Sequence, residues 1–186
     1  MNPSTYSISS SAVPLRILVS TCLFGLSCPY HGNPGAVWQN GFDTLTAAVL
    51  ENEQFVFIPV CPEQLGGLPT PRPPVELQAP ADAIFAGQGS ILSERGDDLT
   101  SAFILGARQT LLLAERLGAR MAIFKEKSPS CGRGRIYSGA FDGRLISGDG
   151  MTTALLRKSG ILVHESETVL QLWRNYHSLD IFKNLI

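Results

Sequence analysis

Leu15-Arg16-Ile17-Leu18-Val19-Ser20-Thr21 is a short β-favouring run, and it ends on a thiol, Cys22. Phe55-Val56-Phe57-Ile58-Pro59-Val60 repeats the arrangement and ends on Cys61. Ala119-Arg120-Met121-Ala122-Ile123-Phe124-Lys125 is followed a few residues later by Cys131. The second run is apolar almost without interruption, as expected of a strand covered on both faces. In an open parallel sheet the carboxyl ends of the strands lie along one edge, beside the crevice where ligands bind. Residues dozens of positions apart can therefore converge there.

Working outward, the remaining pattern alternates strands with helices. Asp43 is a candidate N-cap for a helix over Thr44–Asn52. Asp97–Leu117 is the longest predicted helix, capped by Asp97 or Asp98 and stopped by Gly118. Its surface is apolar nearly all round, so it packs on two sides or carries an interface with a second copy of the chain as a homo-oligomer. Met151–Lys158 predicts a short helix, Ile161–His164 a fourth strand and Glu167–Asn175 a final helix. Cys61–Ala86 holds Pro62, Pro69, Pro71, Pro73, Pro74 and Pro80 and reads as one extended, stiff loop. The sum is a three-layer α/β fold with a parallel sheet and helices on both faces. Residues 1–14 read as a flexible leader and 15–186 as a single domain.

The chain has 186 residues, 44% apolar and 17% charged, enough for a hydrophobic core without disulfides. Its net charge of −1 supplies no field for nucleic acid or an anionic membrane, which points to a small-molecule partner. No stretch approaches the length of a membrane span, and the leader lacks the features of a secretory signal. Ile17–Cys22 superficially matches a lipoprotein cleavage box, but its apolar segment is too short. Four cysteines without a disulfide framework suit a cytoplasmic protein with reduced thiols.

Three thiols at one sheet edge form a metal site, a redox site or a nucleophilic site. Each is followed by turn residues, in Cys22-Leu23-Phe24-Gly25, Cys61-Pro62-Glu63 and Cys131-Gly132. Such turns expose backbone N–H groups to sulfur, which lowers thiol pKa and tunes iron–sulfur centres. Zinc usually takes four closed ligands, often in C-x₂₋₄-C pairs, and no such pair exists. Three dispersed cysteines suit a cubane cluster with one open iron corner better. A lone cysteine is also a common small core residue, so spacing alone leaves the choice open.

Val19-Ser20-Thr21-Cys22-Leu23-Phe24-Gly25, Cys61-Pro62-Glu63-Gln64-Leu65-Gly66-Gly67-Leu68-Pro69-Thr70-Pro71-Arg72 and Lys125-Glu126-Lys127-Ser128-Pro129-Ser130-Cys131-Gly132 resemble the three signatures of the DUF523 family, which includes the thiouracil desulfurases. The resemblance extends through Ile136-Tyr137-Ser138-Gly139-Ala140-Phe141 and Gly148-Asp149-Gly150-Met151, covering about residues 15–165. It implies a Rossmann-like parallel sheet carrying a [4Fe-4S] cluster on Cys22, Cys61 and Cys131. It also implies removal of sulfur from a thiolated base such as 2-thiouracil, without net redox change. A sample prepared in air is expected to lose such a cluster. A non-catalytic cluster or metal protein, and a persulfide-type sulfur carrier, are the alternatives.

Exchanging C=S for C=O needs a thiophilic Lewis acid, an activated water and a proton donor. Glu63, two residues past a ligand, is the candidate for the water or the proton. Cys28 is a further acid/base candidate, a second sulfur acceptor or inert packing. Ser128 and Ser130 offer hydroxyls to catalysis and to the pyrimidine edge, or cap their own turn. Gly148, Asp149 and Gly150 offer N–H donors to substrate, or cap the helix that follows. Arg72, Arg133 and Arg135 are candidates for a substrate anion or for salt bridges. His31, His164 and His177 lack metal-ligand spacing. One departure from similar sequences is Cys28-Pro29-Tyr30-His31-Gly32, where Arg and Asp are common. It bears on substrate identity more than on cluster binding.

Overall fold

The computed structural model describes residues 13–26 and 42–186. Four parallel strands form the central sheet in the order β2-β1-β5-β8: β1 Leu15–Ser20, β2 Phe55–Val60, β5 Met121–Phe124 and β8 Leu162–Glu165. Alternation along the strands divides the core between two faces. Ile17, Val19, Met121 and Ile123 point to one side, against α1 (Phe42–Leu50), α6 (Ser166–Tyr176) and α7 (Ile181–Asn184), through Leu45, Val169, Trp173 and Phe182. Leu18, Ala122, Phe124 and Val163 point to the other, against Ala114 of α4 (Thr100–Leu117) and Leu156 of α5 (Met151–Lys158). The architecture is the three-layer α/β sandwich expected from the alternating pattern.

The proline-rich stretch departs from the expected single loop. It contains a short helix α2, Pro62–Leu65, a strand β3, Val75–Leu77, and a second short helix α3, Ala81–Phe85. Pro62 sits at the first helical position, where its missing N–H costs nothing, and Pro69 to Pro74 fall between elements. β3 pairs antiparallel with β4, Ile91–Ser93, and β6, Arg135–Tyr137, pairs antiparallel with β7, Leu145–Ser147. Val75, Leu77, Ile84, Ile91, Phe103, Ile136 and Met151 give these small sheets a core of their own.

Boundaries moved where local hydrogen bonding outweighed pattern. α4 begins at Thr100, later than expected, with Leu99 at its N-cap position and no side-chain cap there; the Asp98 carboxylate accepts the Thr100 N–H at 2.8 Å in the turn before it. Asp43, expected as a cap, lies inside the first turn of α1. Among the described residues no helix is long and apolar enough to cross a membrane.

α4 packs on both α2 and α5, which explains most of its unusual apolar coverage, although Leu105 and Leu112 remain exposed. The α2–α4 crossing is a backbone-to-backbone contact. A Cβ on Gly106 would stand 2.0 Å from the Pro62 carbonyl oxygen, and one on Gly66 would stand 2.1 Å from that of Ala102. Nothing but hydrogen fits at either position. Gly106→Ala is therefore expected to lower unfolding free energy by about 1–3 kcal/mol, as overpacking does, measured by urea denaturation. Wild-type stability in that variant would contradict the contact.

Candidate iron–sulfur site and its comparisons

Register brings the cysteine-bearing ends together. Ser20 pairs with Val60 across β1 and β2, and Val19 pairs with Ile123 across β1 and β5. Cys61 therefore lies one residue beyond the last row, and Cys22 two residues beyond it on the adjacent strand. Cys22 sits in a 3-10 turn, Thr21–Phe24, closed by Gly25 in the left-handed conformation. Cys61 is the extended residue that leads into α2. None of Cys22, Cys61 and Cys131 is in a disulfide.

Cys131 reaches the same edge by a built turn. The Ser128 hydroxyl accepts the N–H groups of Ser130 at 3.2 Å and of Cys131 at 3.1 Å, and the Ser128 carbonyl accepts that of Gly132 at 2.8 Å. The first turn of α5 braces it from outside. Gly150, Met151 and Thr152 donate their N–H groups to the carbonyls of Gly132, Pro129 and Ser130 at 2.8, 2.9 and 2.9 Å. The Thr153 hydroxyl donates to the Cys131 carbonyl at 2.7 Å. A Cβ on Gly150 would meet the Ser128 and Ser130 carbonyl oxygens at 2.7 Å, so a glycine is required for so close an approach.

Of the Gly148-Asp149-Gly150 donors expected for substrate, the N–H groups of Gly148 and Gly150 are engaged within the chain. Gly148 N–H donates to the Gly134 carbonyl at 3.1 Å, and the Asp149 carboxylate accepts the Gly134 N–H at 2.7 Å while pairing with Arg157. These bonds tie the segment to Gly132 and Gly134 beside the Cys131 turn, and no side chain caps α5. Gly148 and Asp149 also border a cleft of about 330 Å³, shared with Leu77, Gln78 and Ile146, which none of the three cysteines lines.

Glu63 is buried, and its two oxygens have separate partners. Oε2 accepts from Arg72 Nε at 2.7 Å and also pairs with the Arg72 Nη2. Oε1 accepts from the Ser130 hydroxyl at 2.8 Å and lies 3.5 Å from that of Ser128. Arg72 is itself wrapped by the proline stretch, donating to the Pro69 carbonyl and the Thr70 hydroxyl at 3.1 and 3.2 Å. Its guanidinium is 4% exposed, so it is a structural partner and not a surface cation awaiting a substrate anion. Sequence reading missed this pairing. The available signal was two opposite charges on either side of a proline-bracketed turn.

Burial pushes the Cys131 thiol far above its ordinary pKa; the hydroxyls of Ser20 and Ser130 oppose that, while Cys22 and Glu63 add to it. Ser130 Oγ lies 3.7 Å from the Cys131 sulfur, and its hydroxyl donates to Glu63 Oε1. His164 sits at the end of β8, its Nε2 3.1 Å from the Leu185 carbonyl, and burial together with Arg133 keeps its pKa below the usual histidine value. Cys28 and the Pro29–His31 departure lie outside the described residues, as does His31 itself.

Among the described residues no three His, Cys, Asp or Glu side chains close on a single point as they would around one metal ion. A single zinc needs its sulfurs within about 2.3 Å of one centre. A multi-iron cluster holds its cysteines farther apart and takes thiols as ligands. Cys22, Cys61 and Cys131, none in a disulfide and carried by segments leaving one sheet edge, are donors of that chemistry. The Thr152 hydroxyl, on the turn of α5 that braces this segment, is fully buried without a hydrogen-bond partner among the described residues.

Residues 17–168 match the family model described as 2-thiouracil desulfurase. The chain belongs to that family. Among relatives of the desulfurase family, "Uncharacterized protein YbbK" of Bacillus subtilis (strain 168) is 39% identical over 148 residues, 79% of this chain and 93% of that protein. A solved structure, the [4Fe-4S]-dependent thiouracil desulfidase TudS, aligns with a TM-score of 0.73 at 38% identity, covering 92% of this chain and 99% of the other.

Removing one partner of a buried ion pair leaves an uncompensated charge. Arg72→Met is therefore expected to cost about 3–5 kcal/mol in urea unfolding, and the double substitution with Glu63→Met to recover much of it. Equal stability of wild type and Arg72→Met would contradict the buried pair.

Proposed function

We propose that this protein is an iron–sulfur-dependent desulfurase that converts a thiolated pyrimidine such as 2-thiouracil to the oxo form, with Cys22, Cys61 and Cys131 as the protein ligands of a [4Fe-4S] cluster. The observation that supports this reading is the parallel register that brings the segments bearing Cys22, Cys61 and Cys131 out of one sheet edge, with Glu63 bonded to Ser130 next to Cys131. Family membership and the likeness to TudS support it.

A cluster held by Cys22, Cys61 and Cys131 would supply a thiophilic Lewis acid to the substrate sulfur. The chain's own residues supply the rest. Arg72 fixes Oε2 of Glu63, so Oε1 is held toward Ser130 and the Cys131 side of the site. That oxygen is an acceptor placed to take a proton from water, and the Ser130 hydroxyl, already bonded to it, is placed to pass one on. Ser128 orients Ser130 and the cysteine turn through its hydroxyl. The balance is hydrolytic: the water oxygen becomes the carbonyl oxygen, both its protons leave with sulfur as hydrogen sulfide, and no electrons are gained or lost. The reaction suits the cytoplasm, where cysteines stay reduced.

Anaerobically prepared protein is expected to absorb near 400 nm and to release uracil and sulfide in equal amounts from 2-thiouracil. A cluster-loaded sample that releases neither would remove this substrate. Serine at any one of Cys22, Cys61 or Cys131 should reduce iron per chain towards zero. Glu63→Gln should keep iron and lower kcat by about 10²–10⁴-fold, the usual scale of acid–base catalysis; unchanged kinetics would take Glu63 out of the mechanism.

A further inference from the structure

Phe103, Gly106, Ala107, Thr110 and Ala114 are buried along one side of α4. At roughly 100° per residue the opposite side runs through Leu105, Arg108, Gln109, Leu112, Glu115 and Arg116, all of them exposed. A solvent-facing helix stripe is ordinarily polar from end to end. Here Leu105 and Leu112, 46% and 45% exposed, sit seven residues apart on its midline.

Single exposed leucines are ordinary, but these two are framed. Arg108 and Glu115, also seven apart, follow one flank of the stripe, and Gln109 and Arg116, again seven apart, follow the other. Among the described residues neither Arg108 nor Glu115 enters a salt bridge. They cannot pair with each other, because seven residues of helix separate them by about 10 Å.

The same spacings fit their own reverse. In an antiparallel helix pair, like flanks face each other. A twofold axis passing Leu112 sets that side chain against Leu112 of a second copy. It also brings Arg108 level with Glu115 of the second copy, and Glu115 level with its Arg108. On the other flank the Gln109 carboxamide comes level with the second copy's Arg116. Leu105 then meets the last turn of the facing helix. Such a contact is isologous and closes at two copies.

We propose that this stripe of α4 is the interface of a homodimer, with the two helices packed antiparallel about Leu112. A second copy is the partner that fits, because one twofold covers both leucines and gives Arg108 and Glu115 the opposite charges they lack. The interface lies on the helix whose Gly106 receives α2, so it would back the segment that presents Cys61 and Glu63. It does not depend on the cluster assignment.

The test is sedimentation equilibrium of the full chain over a concentration series. The wild type should associate as a dimer. Arg108→Glu and Glu115→Arg should each weaken association by about tenfold or more, since each sets two like-charged pairs across the axis. The double variant, which restores both pairs with their signs exchanged, should return close to wild type. Leu112→Glu should be monomeric with an unchanged far-UV spectrum. If it fails to fold, the charge reversals on the solvent-facing stripe decide the matter. A wild type that stays monomeric at the highest concentration would overturn the proposal, as would a dimer indifferent to both reversals or a double variant no stronger than the single ones.

Discussion

Parallel pairing of β1 with β2 and β5 is the constraint on which the site depends. Because Ser20 is level with Val60 and Val19 with Ile123, three chain segments leave the sheet from the same edge and on neighbouring strands. Strand spacing of roughly 4.8 Å then sets the scale on which their sulfurs can approach. Moving any of these strands by one residue would turn its core side chains to the wrong face, so the hydrophobic layers lock the register that the chemistry uses. Ile17, Val19, Met121 and Ile123 on one side and Leu18, Ala122 and Phe124 on the other are all buried. The core and the site are thus one construction, the first holding the second in line.

Around that edge the protein uses backbone and small residues where larger ones would seem cheaper. Gly106 and Gly66 let α2 lie directly on α4, which fixes the segment that presents Cys61 and Glu63. Gly150 lets the first turn of α5 lie on the Ser128–Gly132 turn, so its N–H groups serve the carbonyls behind Cys131. The polar groups are satisfied in series, from Arg72 to Glu63 to Ser130, with Ser128 holding the turn. A network of this kind is rigid when complete and costly when broken, which suits a site that must present an acceptor at one fixed place.

The strands and the cysteine positions were legible because an apolar run that stops on a thiol is an unusual event, and it occurs here at Cys22 and Cys61. Helix α5 was legible to the residue because Gly150 and the apolar stripe of Met151–Lys158 mark both its start and its face. The small sheets were not. β3, β4, β6 and β7 have three residues each, too few for any periodicity, and their burial comes from Phe103 and Met151, which belong to helices elsewhere in the chain. Arg72 was legible as a candidate for a substrate anion or a salt bridge, but that its partner is Glu63 was not, because the fold-back of the proline stretch depends on tertiary packing. Gly106 reads in sequence only as a weak point in a helix. Its purpose becomes visible when the Pro62 carbonyl is found against it.

The chain belongs to the 2-thiouracil desulfurase family and its fold aligns with that of TudS, while Glu63, Arg72 and Ser130 give this sheet edge chemical detail of its own. The most direct measurement is an anaerobic crystal structure with anomalous data collected at the iron edge. The account predicts one compact four-iron peak in bonding contact with the sulfurs of Cys22, Cys61 and Cys131, with one iron lacking a protein ligand. Iron bound elsewhere, or three side chains directed to separate faces of the protein, would contradict it.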